Sequence, residues 1–264
     1  MGSTTADDGA RIEFAEHGAA ASPALVLVHG ITESRKAWAP VLPALARQWR
    51  VVAVDLRGHG ASERRSPYDP VTLASDVHAV VRALELDAPL LVGHSLGGVV
   101  VSAYAGLGFT TRGIVDVDQP LALGEFKAAL EPLVPMLRGD PDEFASAIGI
   151  VFSVLDGPLP AAERARLDAL SSPEQAVVLG VWGAVLDSEP AELDAQVAAL
   201  LAGITVPMLS LHGNDPGPDY AGWLEAQVPT AVVEVWPDAG HYPQLTDPER
   251  FVARVVEFDA GAFG

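Results

Sequence analysis

The chain has no cysteine, so neither disulfides nor thiol chemistry can enter its function. It is also short of basic charge: 16 Lys and Arg face 35 Asp and Glu, for a formal net charge of −19. Nucleic-acid backbones need a basic face, so nucleic acid is excluded as a partner, and an anionic membrane surface is disfavoured. A solvated acidic surface that keeps copies apart explains the charge without a partner. Only Lys36 and Lys127 are lysines, and with many Ala, Gly and Pro this points to GC-rich coding DNA, as in many bacteria. The first residues, Met1-Gly2-Ser3-Thr4-Thr5-Ala6-Asp7-Asp8, lack the basic and apolar regions of a secretion signal, so a cytoplasmic location is expected. The longest apolar stretch, Leu90 to Phe109, is broken by His94 and Ser95 and reads as buried strand and helix, not as a membrane span. The histidines show no metal-ligand spacing such as H-E-x-x-H, and no metal is expected.

What is present is a core. With 264 residues and 49% hydrophobic content, one large α/β domain is the expected build. Short apolar runs occur at Leu25–Val28, Val51–Val54, Leu90–Val92, Ile114–Val117, Met208–Leu211 and Val232–Val235. Helix-length segments such as Trp38–Trp49, Val71–Leu84 and Ala191–Ala202 lie between several of them. Buried runs alternating with helices predict a mostly parallel sheet covered on both faces, with functional groups beyond the carboxyl ends of the strands. Residues 121–203 break this rhythm: the helical patterns there are interrupted by prolines and no strand pattern appears. A stretch of that length is too long for a plain loop. It is expected to form a helical cap on a core of residues 1–120 and 204–264. Phe126, Leu133, Met136, Phe144, Phe152, Leu155, Leu179 and Trp182 are apolar residues the cap could turn toward a site. Of these, Phe126, Met136, Phe152 and Trp182 are the candidate substrate contacts.

The chemistry starts at Gly93-His94-Ser95-Leu96-Gly97-Gly98, directly after a buried run. A G-x-S-x-G sequence at the end of a strand and the start of a helix holds a serine on a sharp turn, exposed for attack. Glycine on either side removes the Cβ atoms that would collide where the backbone doubles back. A serine hydroxyl also needs a base. His241, in Asp238-Ala239-Gly240-His241-Tyr242-Pro243, follows the last strand-like run and precedes the final helix Pro248–Phe258. His94 reads as a supporting residue inside the turn, and His29 and His212 as turn supports after strands. His17 and His78 read as surface or helix histidines. The oxyanion formed on attack needs donors already in place. The backbone N–H of Leu96 is one candidate. The N–H of Ile31, in the loop His29-Gly30-Ile31-Thr32, is the other.

Leu25-Val26-Leu27-Val28-His29-Gly30, Asp55–Ser62 (DLRGHGAS), the Ser95 motif and Ala239–Phe251 (AGHYPQLTDPERF) together resemble the α/β-hydrolase superfamily. The likeness is to its lid-bearing esterase, lactonase and cofactor-free perhydrolase branch. It covers nearly the whole chain and is weakest over residues 121–203. It implies an α/β-hydrolase fold, a Ser–His–acid triad and no cofactor. Arg57 and His59 carry over as support residues of a structural turn. Two acids compete for the triad. The superfamily's usual position falls in Gly213-Asn214-Asp215, where Asp215 comes one residue earlier than the common G-x-x-D spacing. Asp118, in Asp116-Val117-Asp118-Gln119-Pro120, matches the place used by zearalenone-type lactonases. Asp116 is expected to point to the opposite face of its strand from Val117.

The resemblance implies a serine hydrolase of carboxylic esters or lactones. The Leu, Phe and Trp of the expected cap and the acidic chain point to a neutral or cationic, apolar, medium-sized substrate, and the choice between monomer and homodimer stays open. Ser95 excludes haloalkane dehalogenation, which needs an aspartate there, and Leu96 departs from the tryptophan of proline iminopeptidases. A perhydrolase, a thioesterase or a carbon–carbon bond hydrolase stays open. So does a non-hydrolytic ligand-binding or cyclase member of the same fold.

Overall fold

The computed structural model describes residues 1–155 and 157–261, and of Val154 and Leu155 the backbone alone. The side chain of Leu155 thus lies outside the described residues. Eight strands form: β1 (Gly2–Thr5), β2 (Arg11–His17), β3 (Ala24–Val28), β4 (Arg50–Val54), β5 (Leu90–His94), β6 (Gly113–Val117), β7 (Met208–His212) and β8 (Ala231–Val235). They make one sheet in the order β1-β2-β4-β3-β5-β6-β7-β8. The pairs from β4 through β8 are all parallel, and β1 and β2 add antiparallel at one edge.

The central strands β3 to β7 are covered on both faces, and their two-residue period sorts the side chains. Val26, Val28, Val52, Val54, Leu91 and Ile114 join one apolar cluster with helices Pro70–Ala83 and Leu96–Gly106. Leu25, Leu27, Val51, Ala53, Val92, Val115 and Val117 join the other, with Trp38, Phe251 and Val255. The helix expected over residues 71–84 is Pro70–Ala83, where the Asp69 side chain accepts the N–H groups of Val71 and Thr72. The one expected over 191–202 is Pro190–Leu201.

Two expectations differ. The segment 38–49 is not one helix: a 3₁₀ turn, Arg35–Trp38, and a short helix, Leu42–Leu45, occupy it. Pro40 and Pro43 lack the N–H that a continuous ladder needs, and their rings collide with the preceding turn. The β1–β2 hairpin was not expected, because β2 is no apolar run. Ile12 and Phe14 are buried in it while Arg11 and Glu16 are exposed, the pattern of an antiparallel strand with one face partly open to water.

Between β6 and β7 the described residues form helices and no strand, among them Gly124–Leu130, Pro141–Leu155, Ala161–Leu170 and Gln175–Val181. This segment is bonded to the loop after β3. The Arg166 guanidinium donates to the carbonyls of Lys36 (2.9 Å) and Ala37 (3.0 Å), and Ser172 N–H donates to the Thr32 carbonyl at 2.8 Å. Among the described residues, no helix is long and apolar enough to cross a membrane.

Phe251 is fully buried under the sheet, with its ring 6.3 Å from that of Trp38. Phe251→Ala is expected to lower unfolding free energy by about 3–5 kcal/mol, through lost burial and the cavity left behind. Urea denaturation measures it, and a loss below about 1 kcal/mol would contradict this packing.

Candidate active site

Strand β5 runs into helix Leu96–Gly106 through a single residue, Ser95, at φ 51° and ψ −120°. A positive φ is costly for a residue with a Cβ, of order 1–3 kcal/mol, and persists only where neighbours enforce it. Here they do. A Cβ on Gly93 would stand 2.0 Å from the Gly97 carbonyl oxygen, and one on Gly97 would stand 2.2 Å from the Val28 carbonyl oxygen. Only glycine lets strand, turn and helix approach this closely. The turn is also tied to the neighbouring strand, because Ser95 N–H donates to the Val117 carbonyl at 2.9 Å.

One residue beyond that carbonyl is Asp118, also at positive φ (52°), whose own N–H donates to Leu211 of β7 at 2.7 Å. Its carboxylate faces His241, with Nδ1 to Oδ2 at 2.7 Å. A carboxylate only accepts, so Nδ1 carries the proton and Nε2 is left as the acceptor. Asp118 Oδ1 takes the N–H groups of Gly213 (2.7 Å) and Asn214 (3.0 Å), and Oδ2 takes the Asn214 side-chain amide at 3.2 Å. Burial alone would raise this carboxyl. The His241 hydrogen bond and these backbone donors override burial and hold it below the ordinary aspartate range.

Asp215 is exposed, accepts from Gly217 N–H at 2.9 Å, and makes no hydrogen bond to His241. The loop of the superfamily's usual acid therefore does contribute, but through Gly213 and Asn214, which hold Asp118. Sequence reading missed Asn214. Its signal was its place one residue before Asp215, in the loop already singled out. Asp116 is fully buried on the face of β6 that packs on helix Leu96–Gly106, next to Ser210 Oγ at 3.4 Å. Burial, then the nearby Asp118 charge, push its carboxyl well above the ordinary value, so the neutral form is favoured.

Ser95, His241 and Asp118 line one cavity of about 650 Å³ together with Ile31 and Leu96. Among the described residues no hydrogen bond yet joins Ser95 to His241, and such contacts commonly tighten only with substrate bound. Leu96 opens its helix, so its N–H has no intrahelical carbonyl to satisfy and sits at the positive end of the helix dipole. Phe126, Phe152 and Trp182 line the cavity, the rings of Phe126 and Trp182 meeting edge-on at 5.5 Å. Met136 does not line it. It is half-buried against the apolar cluster that holds helices Pro70–Ala83 and Leu96–Gly106, because the short helix Val134–Leu137 turns it toward the core. Leu133, Phe144 and Leu179 pack against or within that cluster too, and none of the three lines the cavity.

Of the remaining histidines, His29 and His212 bond their surroundings. His29 donates from Nδ1 to the Gly30 carbonyl and accepts Leu56 N–H at Nε2, at 2.7 and 3.0 Å. His212 bonds Ser210 Oγ at 2.8 Å, and burial lowers its pKa to about 4. His78 stacks on Phe109, and His17 is exposed. Arg57 is buried between Asp8 and Asp76. Among the described residues no group of three or more His, Asp or Glu side chains could hold a metal.

A depressed carboxyl stabilises the fold above the unfolded aspartate value of 3.8, and that stability is lost as pH falls through the folded value. Asp118→Asn is therefore expected to be less stable than the parent at neutral pH and to lose less on acidification. Urea unfolding as a function of pH measures both, and parallel curves for the two proteins would contradict the assignment.

Residues 25–254 match the model of the alpha/beta hydrolase family. Over 163 residues the chain is 34% identical to protein phosphatase methylesterase 1 of Bos taurus, a match covering 58% of this chain and 42% of that protein. The chain thus spans less than half the length of this relative. The esterase RhEst1 from Rhodococcus sp. ECU1013 superposes with a TM-score of 0.74 at 30% identity, covering 97% of each chain. A candidate aryl esterase from Burkholderia cenocepacia superposes with a TM-score of 0.81 at 26% identity, over 99% of this chain and 98% of that one. The fold, the turn at Ser95 and the family match agree: the chain belongs to the alpha/beta hydrolase family.

Proposed function

We propose that the protein is a serine hydrolase of carboxylic esters or lactones that works through an acyl-enzyme. The observation that carries this reading is the 2.7 Å hydrogen bond from His241 to Asp118 on the wall of the cavity that also exposes Ser95. Ser95 Oγ attacks the acyl carbon while His241 Nε2 takes its proton. The C–O bond to the leaving alkoxide then breaks, and His241 returns the proton to it. Asp118 holds the imidazole in the tautomer this needs and offsets its positive charge once it is protonated. The N–H groups of Leu96 and Ile31 receive the charge that develops on the carbonyl oxygen. Water, deprotonated by His241, releases the acyl group and restores Ser95.

The cavity wall supports the substrate class. Phe126, Phe152 and Trp182 offer apolar surface, and among the described residues the lining includes no lysine or arginine to hold an anion. A neutral or cationic ester with a medium-sized apolar group fits it. Ester hydrolysis is also the activity named for RhEst1 and the methylesterase, similar proteins at 30% and 34% identity. A small-molecule substrate is the partner this reading requires. It requires no cofactor, and the chain needs no second copy to complete the site.

The test is turnover of p-nitrophenyl esters from acetate to decanoate and of two lactones. The parent protein is expected to hydrolyse at least one series. Ser95→Ala should lose on the order of 10⁶-fold in kcat and Asp118→Asn on the order of 10⁴-fold. Asp215→Asn should keep kcat within about threefold, because its carboxylate does not reach His241. A folded parent inert on every substrate, or an active Ser95→Ala protein, would sink the reading.

A further inference from the structure

His94, the residue before Ser95, is buried between the two loops that flank the serine. Its Nε2 lies 2.8 Å from the backbone carbonyl of His241. A carbonyl only accepts, so Nε2 carries a proton and donates it. On the other side of the ring Nδ1 faces Glu33 Oε2 at 3.7 Å, an ion-pair separation longer than a hydrogen bond, and Nδ1 has no hydrogen-bond partner. The same Glu33 oxygen accepts Gly30 N–H at 3.1 Å, one residue before Ile31. Glu33 is only 7% exposed, and neither it nor His94 lines the cavity. No step of the reaction uses either residue, yet a carboxyl and an imidazole buried together with one carboxylate oxygen shared between loop and ring call for a reason.

We propose that Glu33 and His94 form a buried ion pair that positions both halves of the active site, the oxyanion loop through Gly30 and the base loop through the His241 carbonyl. This rests on the serine-hydrolase reading. Both are positioning residues, since they touch other parts of the site and not the substrate. The surroundings favour charge on both. Burial would raise the Glu33 carboxyl, but His94 beside it overrides this and holds it at about 2. Burial would also lower His94, and Glu33, then the His241 carbonyl and the Asp118 charge, carry it above its ordinary value. The other groups facing His94 are the rings of His241 (4.7 Å) and Tyr242 (4.8 Å), with His29 near enough to be felt electrostatically.

The sign of the pH dependence follows. Below the raised His94 value the imidazolium and Glu33 attract and both loops are held. As pH rises through that value His94 loses its proton, Glu33 is left buried without its counter-charge, and the rate falls. His241, by contrast, acts as base only in its neutral form.

The experiment measures kcat and KM from roughly pH 5 to pH 10 for the parent, Glu33→Gln, His94→Gln and Ser95→Ala. It adds ¹⁵N-imidazole NMR titration of the histidines. Glu33→Gln keeps an acceptor for Gly30 N–H and removes only the charge, and His94→Gln keeps a donor for the His241 carbonyl. Both are expected to lose roughly 10- to 100-fold in kcat with KM within about twofold, and to lose the alkaline limb. The parent should show a histidine titrating above the ordinary value, absent in His94→Gln and shifted down in Glu33→Gln. Unchanged kcat and alkaline limb in folded variants would overturn the proposal. So would a His94 signal that titrates at or below the ordinary value in the parent, a result that stands even where a variant fails to fold. Ser95→Ala separates the two readings: residual full activity there defeats serine hydrolysis. An inactive Ser95→Ala beside unaffected Glu33→Gln and His94→Gln proteins defeats the ion pair alone.

Discussion

The backbone turn at Ser95 is the constraint on which the rest of the site depends. At φ 51° it is a conformation no free chain would keep, and it is kept because three backbone segments meet where Gly93 and Gly97 leave no side chain in the way. That close contact places the serine at the mouth of the sheet. It also leaves the Leu96 N–H unpaired at a helix start and docks the turn on the last carbonyl of β6. The first residue past β6 is Asp118, so one hydrogen bond fixes the spacing between the serine and the acid that meets His241.

Two carboxyls two residues apart show how position on a strand sets chemistry. Asp116 lies on the buried face of β6 that packs on helix Leu96–Gly106, meets Ser210 Oγ only at 3.4 Å, lies near the Asp118 charge, and is driven toward the neutral form. Asp118 lies past the end of the strand, where Gly213, Asn214 and His241 all donate to it, and is driven toward the charged form. Burial opposes ionisation in both; the Asp118 charge adds to it at Asp116, while the His241 hydrogen bond and the backbone donors overcome it at Asp118.

Ser95 and His241 were legible in the sequence because each is marked by its own neighbours: glycines at fixed offsets around one, and a loop between the last strand and last helix around the other. The choice between Asp118 and Asp215 was not legible. β6 and β7 are adjacent parallel strands, so an acid past the end of either is a candidate for the same imidazole, and only three-dimensional donors distinguish them. Glu33 was missed for a related reason: its partners are Gly30 and, 61 residues along, His94. In the fold, the continuous apolar runs gave their strands away, while the amphipathic β2 did not. Pro40 and Pro43 were visible breakers within the segment expected to be a single helix. The apolar residues between β6 and β7 could not be sorted by type alone, since Trp182 lines the cavity and Met136 packs away from it.

The most direct measurement of the central claim is the mass of the intact protein after exposure to a p-nitrophenyl phosphonate, followed by peptide mapping. The account predicts one covalent adduct per chain, on Ser95, with release of one equivalent of p-nitrophenol. An unmodified protein, or an adduct carried by any residue other than Ser95, would contradict it.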